Sequence, residues 1–423
     1  CPMRPLQSAM SPWICGGGPS PGCQKGRITR WHIWSRAPRI RCDRSANLGR
    51  RREPHPGGSL AAVEERLTLR YTPIPLHAVQ VTVGRGIVQE LPKLLTNLAP
   101  DAAYIIADST VLPLLPADTQ ALIDRYHVIH TEPGEDAKTL ENLARLCQQF
   151  FALGGNKNSC IVDIGGGSVG NVAGMVAALV YRGIHLVHIP TTLLSQLDSS
   201  VDVKHSVNCY VKNSIGTYHP PTAVLIDPDL LSTLPDREFR SGLAEALKHG
   251  FSQDMALVDH IVKHRDTMRT ACDETIIRTL RLKLAHYHST ADKWKERIPT
   301  KRLTHLGHSV GKVLEQLFPG FFTHGEAISH GMVAESQLAH YMDLITDEEL
   351  ATVERSLHSM GLLPRLPDHC SAGSIFSGLV REEKVPAFAL LNGLGNGVIE
   401  SAEVAPTVIY DVLAEWLVSA AKY

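Results

Sequence analysis

From residue 78 onward, short runs of β-branched and other apolar residues alternate with longer stretches of mixed polarity. The runs are Val79-Gln80-Val81-Thr82-Val83, Ala103-Tyr104-Ile105-Ile106-Ala107, Val128-Ile129-His130, Cys160-Ile161-Val162-Asp163-Ile164 and Leu186-Val187-His188-Ile189. Segments near 86–97, 116–125, 138–153 and 170–181 have helical length, and Lys138 to Leu153 spaces its apolar residues at i, i+3 and i+4. Strands alternating with helices of this length predict a parallel sheet with crossover helices, a doubly wound α/β unit over residues 66–236.

After Asp236 the period changes to that of long helices, near 237–250, 254–268, 272–292, 302–317, 324–343, 347–360 and 407–421. The second unit, residues 237–423, is therefore expected to be mostly α-helical. One interruption stands out: Phe388 to Ile399 contains Asn392-Gly393 and Asn396-Gly397, turn pairs that predict a small β excursion.

The length of 423 residues suits two or three domains, and 42 basic against 43 acidic residues with 43% apolar positions is ordinary globular composition. The charge is uneven, because residues 1–60 carry 11 Lys/Arg and 2 Asp/Glu, a net +9. That opening stretch shows no apolar period long enough for an element. Arg-rich and acid-poor, it reads as a transit peptide, a basic nucleic-acid arm or non-native sequence. The start at Cys1 and the lack of an apolar signal core favour the last, so residues 1–65 are expected to be a disordered or non-native extension. Beyond that stretch, which holds four of the nine cysteines, Cys147, Cys160, Cys209, Cys272 and Cys370 form no CxxC pair, which argues for a reducing compartment and against a thiolate metal site. The longest apolar stretch, Val172 to Tyr181, is half of the ~20 residues a membrane span needs.

Four clusters carry candidate chemistry. Gly165-Gly166-Gly167-Ser168-Val169-Gly170-Asn171 follows a strand and opens a helix, where backbone N–H groups and the helix dipole suit a phosphate. Its spacing is not the common dinucleotide fingerprint, and simple strand-to-helix punctuation is the alternative. Glu135 with Lys138, and Thr191 with Thr192 after Pro190, mark two further strand mouths, where open α/β sheets bind ligands. Asp198, Lys204, Asn208, Lys212 and Asn213 form a polar, basic loop set suited to a phosphorylated, hydroxyl-rich substrate, with Arg182 as another phosphate ligand; solvated surface is the alternative for both. Finally, Glu245 and Lys248 share a helix face, and His308 and His324 are the imidazoles to join them, an open catalytic metal set. His249 and His305 offer rival ligand sets at helical spacing.

Taken in order, Gly134-Glu135 with Lys138, Gly165-Gly166-Gly167 with Gly170, Pro190-Thr191-Thr192, Lys204, Lys212-Asn213, Gly242-Leu243-Ala244-Glu245 with Lys248, Gly307-His308-Ser309 and His324-Gly325-Glu326 resemble the sugar-phosphate cyclases, whose type member is 3-dehydroquinate synthase. The resemblance covers about residues 75–420. It implies a Rossmann-like NAD-binding unit, a helical metal-binding unit, and a lyase that uses NAD catalytically. On this resemblance Glu135, Lys138, Gly166, Gly167, Gly170, Asn171, Thr191, Thr192, Asp198, Lys212 and Thr233 hold NAD, and Glu245, His308 and His324 bind zinc or cobalt. Lys204, Lys248, Lys212 and Asn213 serve catalysis, while Arg182, Asn208, Lys283, His305, Lys312 and Lys384 contact substrate.

Departures bear on the substrate. Asn171 stands where dehydroquinate synthase has Asp, and Gly170-Asn171-Val172-Ala173-Gly174 with Arg182 to Pro190 is more similar to 2-deoxy-scyllo-inosose synthase, which cyclises glucose 6-phosphate. His305 and Lys312 match neither pattern, and Tyr218-His219-Pro220-Pro221 resembles the valiolone-type cyclases that use sedoheptulose 7-phosphate. The expectation is a cytoplasmic, homodimeric cyclase of glucose 6-phosphate for antibiotic biosynthesis, without membrane or nucleic-acid partners. Dehydroquinate synthase, a valiolone-type cyclase and a metal-dependent polyol or glycerol-phosphate dehydrogenase are the alternatives.

Overall fold

The computed structural model describes residues 29–32, 79–290 and 302–420. In chain order the elements of the first unit are β1 (Thr29–His32), β2 (Gln80–Val83), α1 (Leu91–Leu98), β3 (Ala103–Asp108), α2 (Ala117–Ile123), β4 (His127–Thr131), α3 (Leu140–Ala152), β5 (Cys160–Gly165) and α4 (Gly167–Leu179). These continue with β6 (His185–Pro190), α5 (Leu193–Leu197), β7 (Lys204–Cys209), β8 (Val211–Tyr218) and β9 (Ala223–Ile226). The helical part is α6 (Asp236–Gln253), α7 (Met255–Lys263), α8 (Cys272–Thr290), α9 (His308–Leu317), α10 (His324–Tyr341), α11 (Asp347–Ser359) and α12 (Ala372–Glu382), then β10 (Ala387–Leu391), β11 (Val398–Glu403) and α13 (Pro406–Ala420).

The main sheet runs β1-β2-β9-β6-β5-β3-β4. Every pairing in it is parallel except β1 with β2. β3 and β5 are buried along their whole length, as expected of strands covered on both faces by helices. Ile87, Leu91, Val162 and Ile164 pack on one side, and Leu143, Phe150, Val172 and Val176 on the other. The chain leaves β3 toward β4 but leaves β5 toward β6, so the order reverses between β3 and β5. A ligand crevice opens where connections diverge in this way, at the carboxyl ends of the strands, and the glycine-rich turn Gly165-Gly166-Gly167 sits at that edge.

Four features differ from the sequence expectation. Thr29–His32, inside the stretch judged to hold no element, adds an antiparallel edge strand, since ladder bonds to β2 suffice for four residues without an apolar period. The basic set around Lys204 to Asn213 is an antiparallel hairpin, β7 with β8, and not a loop. The helix expected over 302–317 is broken: Gly307 turns at φ +79° and α9 starts only at His308. A side chain at Gly307 would meet the carbonyl of Ile328 on α10 at 2.5 Å, so glycine there permits both the turn and the close packing of α10. The fourth is helix α12, whose short apolar period of Ile375, Phe376 and Leu379 falls between the segments expected to be helical.

The helical part packs around α6, whose Leu243, Ala244, Leu247 and Phe251 are buried among α7, α8 and α10. No helix among the described residues is long and apolar enough to cross a membrane. Two buried imidazoles give the fold a pH dependence. Burial holds His330, bonded to the Pro364 carbonyl at 2.8 Å, down to about 4, and burial together with His188 holds His205 down to about 3. The unfolded chain binds these protons from about pH 6.5 downward while the folded chain does not, so the contribution of these two groups to stability falls as pH drops below 6.5. At pH 5 each contributes a loss of about 2 kcal/mol relative to pH 8. In urea unfolding His330→Gln is expected to lose about 2 kcal/mol less than the wild type between pH 8 and pH 5; equal loss in the variant would refute the assignment.

Candidate active site

The cofactor side is built at three strand mouths. α4 begins at Gly167, so the first-turn N–H groups lack helical partners and face the crevice. A side chain at Gly167 would come within 2.9 Å of Ser199 Oγ, so the turn lies close against the turn that follows α5. Gly166 caps the helix and Gly170 lies against Asp163 and His188. Thr191 is buried beside this turn, its N–H donating to Gly165 O at 2.9 Å, while Thr192 caps α5 by accepting from Ser195 N at 3.2 Å. Thr233 is exposed and donates to the Leu114 carbonyl near the end of β3.

After β4, Glu135 accepts from Ser168 Oγ at 3.1 Å and from Asn208 Nδ2 at 2.9 Å. Burial raises its carboxyl, but Lys138, Asn208 and Lys212 outweigh this and hold it below the usual range. Lys138 is buried, stands 3.4 Å from Glu135, donates to Asn213 Oδ1, and is lowered by its burial. Asn171 ties α4 to the hairpin: its amide donates to Gly167 O at 2.8 Å and its oxygen accepts from Ser206 N at 2.9 Å.

Opposite, α6, α9 and α10 bring Glu245, His308 and His324 together, with one ligand atom from each within 4.8 Å of the others. Glu245 Oε1 lies 3.6 Å from His308 Nε2 and 3.4 Å from His324 Nε2, and it is buried with no hydrogen-bond partner. Such an orphaned carboxylate oxygen aimed at two imidazole nitrogens fits a divalent cation. His308 Nδ1 contacts the Leu306 carbonyl at 3.2 Å, which leaves Nε2 as the lone pair facing the site. Burial and the Lys248 ammonium keep His308 well below the usual histidine range. Burial opposes protonation of His324, yet Glu245 and Glu315 hold it up to about 9, so a cation there competes with a proton for one lone pair. The rivals lie outside: His249 Nδ1 is engaged by Gln253 at 2.7 Å, and His305 Nδ1 accepts from Arg302 N at 3.1 Å.

Between the two sides lies a cavity of about 480 Å³ whose walls include Lys138, Asn171, Asp198, Lys204, Asn213, Lys248, His305, His308, Lys312 and His324. Lys248 is bonded to Glu245 Oε2 and donates to Thr304 O at 3.0 Å. Lys283 reaches the same region indirectly, donating to Asp198 Oδ1 at 2.6 Å. Asn208 and Lys212 line the adjoining opening, with Glu135, Glu315 and His324. Ammonium groups and a metal triad facing one cavity can stabilise developing alkoxide and enolate charge.

Two comparisons decide the family. The 3-dehydroquinate synthase N-terminal pattern matches residues 128–241 and the C-terminal pattern residues 242–385. The 3-dehydroquinate synthase of Acidithiobacillus ferrooxidans is 31% identical over 358 residues, 81% of this chain and 95% of its own length. The chain belongs to the 3-dehydroquinate synthase family. This family sits within the sugar-phosphate cyclases, and two solved members are similar here. A 2-deoxy-scyllo-inosose synthase complexed with carbaglucose-6-phosphate, NAD+ and Co2+ superposes with TM-score 0.71 at 27% identity, over 80% of this chain and 97% of that one. The 2-epi-5-epi-valiolone synthase of Streptomyces hygroscopicus, with NAD+ and Zn2+ bound, gives 0.73 at 27%, over 84% and 99%.

The structure does not bring every expected residue to the family's cleft. Arg182 is exposed where α4 gives way to β6, at the amino ends of the strands and away from the crevice, because the helix must return there before the next parallel strand begins. Lys384 is exposed ahead of β10 and lines neither opening. Conversely, the sequence reading missed Glu315. It lies seven residues after His308 and three after Lys312, a helical spacing that places all three along one side of α9.

Proposed function

We propose that this chain is an NAD- and divalent-metal-dependent sugar-phosphate cyclase that eliminates phosphate and closes a carbocycle, acting on glucose 6-phosphate in the manner of 2-deoxy-scyllo-inosose synthase. The observation that carries the cyclase reading is the convergence of Glu245, His308 and His324 with Lys204, Lys248 and Lys312 on one cavity beside the cofactor mouth. Support for the sugar comes from Gly170 to Gly174 with Arg182 to Pro190, and from similarity to the structure holding carbaglucose-6-phosphate. The proposal includes a cofactor unit over residues 66–236, a helical metal unit over 237–423, and a cytoplasmic homodimer; the five described cysteines are free thiols, in keeping with a reducing compartment.

When bound, NAD supplies a reversible hydride acceptor and the metal polarises a substrate hydroxyl. In this reading Glu135 orients the cofactor ribose, and the α4 N-terminus and Lys138 hold its phosphates. Lys204 and Lys248 stabilise negative charge on substrate oxygen as the C–H beside the transient ketone gives its proton to the departing phosphate. Lys312 meets the departing phosphate and Asn213 fixes hydroxyls.

Protein supplied with NAD and a cobalt or zinc salt is offered glucose 6-phosphate, the dehydroquinate synthase substrate and sedoheptulose 7-phosphate separately. The expected result is inorganic phosphate from glucose 6-phosphate without lasting NADH absorbance. Release from another sugar alone reassigns the substrate. Stoichiometric NADH formation replaces the cyclase with a polyol or glycerol-phosphate dehydrogenase.

A further inference from the structure

Glu315, on the last turns of α9, touches two partners from different parts of the chain. One carboxylate oxygen is 3.0 Å from Lys212 Nζ on hairpin β7–β8, and the other is 3.5 Å from Nδ1 of His324. The opposite ring nitrogen of His324, Nε2, faces Glu245. Glu315 is 14% exposed in its side chain, so it is desolvated enough for direction to matter, while Lys212 is 45% exposed. An imidazole whose Nδ1–H meets a carboxylate has its Nε2 lone pair fixed in direction and made more basic. The same hairpin braces the cofactor mouth: Asn208 donates to Glu135 at 2.9 Å and Lys138 donates to Asn213. A chain of polar contacts thus runs from Glu135 through the hairpin, Lys212 and Glu315 to His324.

We propose that Glu315 is a positioning residue that orients His324 toward the metal and, through Lys212, fastens the metal site to the hairpin that braces the cofactor mouth. The inference rests on the metal and NAD reading above. Its physical content is reciprocal coupling: whatever steadies the hairpin steadies Glu315, so cofactor and metal each tighten the other's binding.

The test uses cobalt as probe, its affinity read by competition with a chromophoric chelator and its geometry by visible absorption, on the full chain with and without saturating NAD. Glu315→Ala is expected to weaken cobalt binding by roughly 10- to 100-fold and to change the absorption bands. Glu315→Gln, whose amide oxygen still accepts from Nδ1–H, is expected to recover most of the affinity; circular dichroism of both variants checks that they fold. NAD is expected to raise wild-type cobalt affinity by about 5-fold or more, and Lys212→Met to abolish that dependence. Wild-type affinity and spectrum in folded Glu315→Ala would overturn the inference. An NAD effect of equal size in Lys212→Met would overturn the fastening. Failure of cobalt to bind the wild-type chain would instead overturn the metal reading itself, and this inference with it.

Discussion

Exchanging Glu245 for glutamine is expected to lower cyclase turnover by roughly 10³-fold, with loss of bound metal and retention of NAD. Glu245 is fully buried, its Oε1 has no hydrogen-bond partner and faces both imidazoles, and its Oε2 is bonded to Lys248. Glutamine keeps the shape but removes the only negative charge of the triad. The cation then faces two neutral imidazoles and the nearby Lys248 ammonium, so its affinity falls. The Lewis acid is worth several kcal/mol of transition-state stabilisation, and each 1.4 kcal/mol is about tenfold in rate. Metal content by atomic absorption, NAD titration by fluorescence and phosphate release by colorimetry check the three parts. A variant that keeps its metal and stays within about tenfold of wild-type turnover would remove Glu245 from the site.

Replacing Lys283 by methionine is expected to cost about 3 kcal/mol of stability, the lower end of what breaking a buried ion pair costs. Lys283 is fully buried on α8 and donates to the side chain and carbonyl of Asp198, whose side chain is 32% exposed. That partial exposure sets the lower end, since water can solvate the carboxylate left behind. Burial would raise the Asp198 carboxyl, but the Lys283 and Lys248 ammonium groups hold it far below the usual aspartate range. A carboxyl depressed in the folded state contributes stability above its unfolded value near 4 and loses that contribution as pH falls. Urea unfolding of both proteins is therefore expected to show a gap that is full at pH 7 and narrows below pH 4. A gap independent of pH would assign the loss to packing of the lysine stem and not to its charge.

The strands were legible because the sheet is buried on both faces. Ile105, Ile106, Val162 and Ile164 announce themselves as apolar runs, since a parallel strand covered by helices has no solvent side to mark. The glycine-rich turn was legible for a different reason, because side chains there would crowd Val169, Thr192 and Ser199. β1 was not, because four-residue pairing leaves no period to detect, and α12 was not, because its apolar period of Ile375, Phe376 and Leu379 is only about one turn long. The breadth of the family resemblance supplied the ordered set of site residues, yet it gave Arg182 and Lys384 no less weight than Lys248.

By itself the sequence determined the alternation that makes a doubly wound sheet, the helical second unit, and the residue types capable of holding a dinucleotide and a divalent ion. Those properties depend on near neighbours: helix and strand periods, caps and turn glycines act over a few residues. The family resemblance singled out His308 and His324 among the 21 histidines, and only the tertiary structure joined them to one carboxylate. It drew His308 and His324 to Glu245 and left His249 and His305 outside, and it turned Arg182 away from the crevice. It also set Glu315 between Lys212 and His324, residues 112 positions apart (324 − 212). Metal ligation, ion pairing and burial act through space over a few ångströms, so their partners are fixed by how α6, α9, α10 and the hairpin pack, and no local pattern encodes that distance.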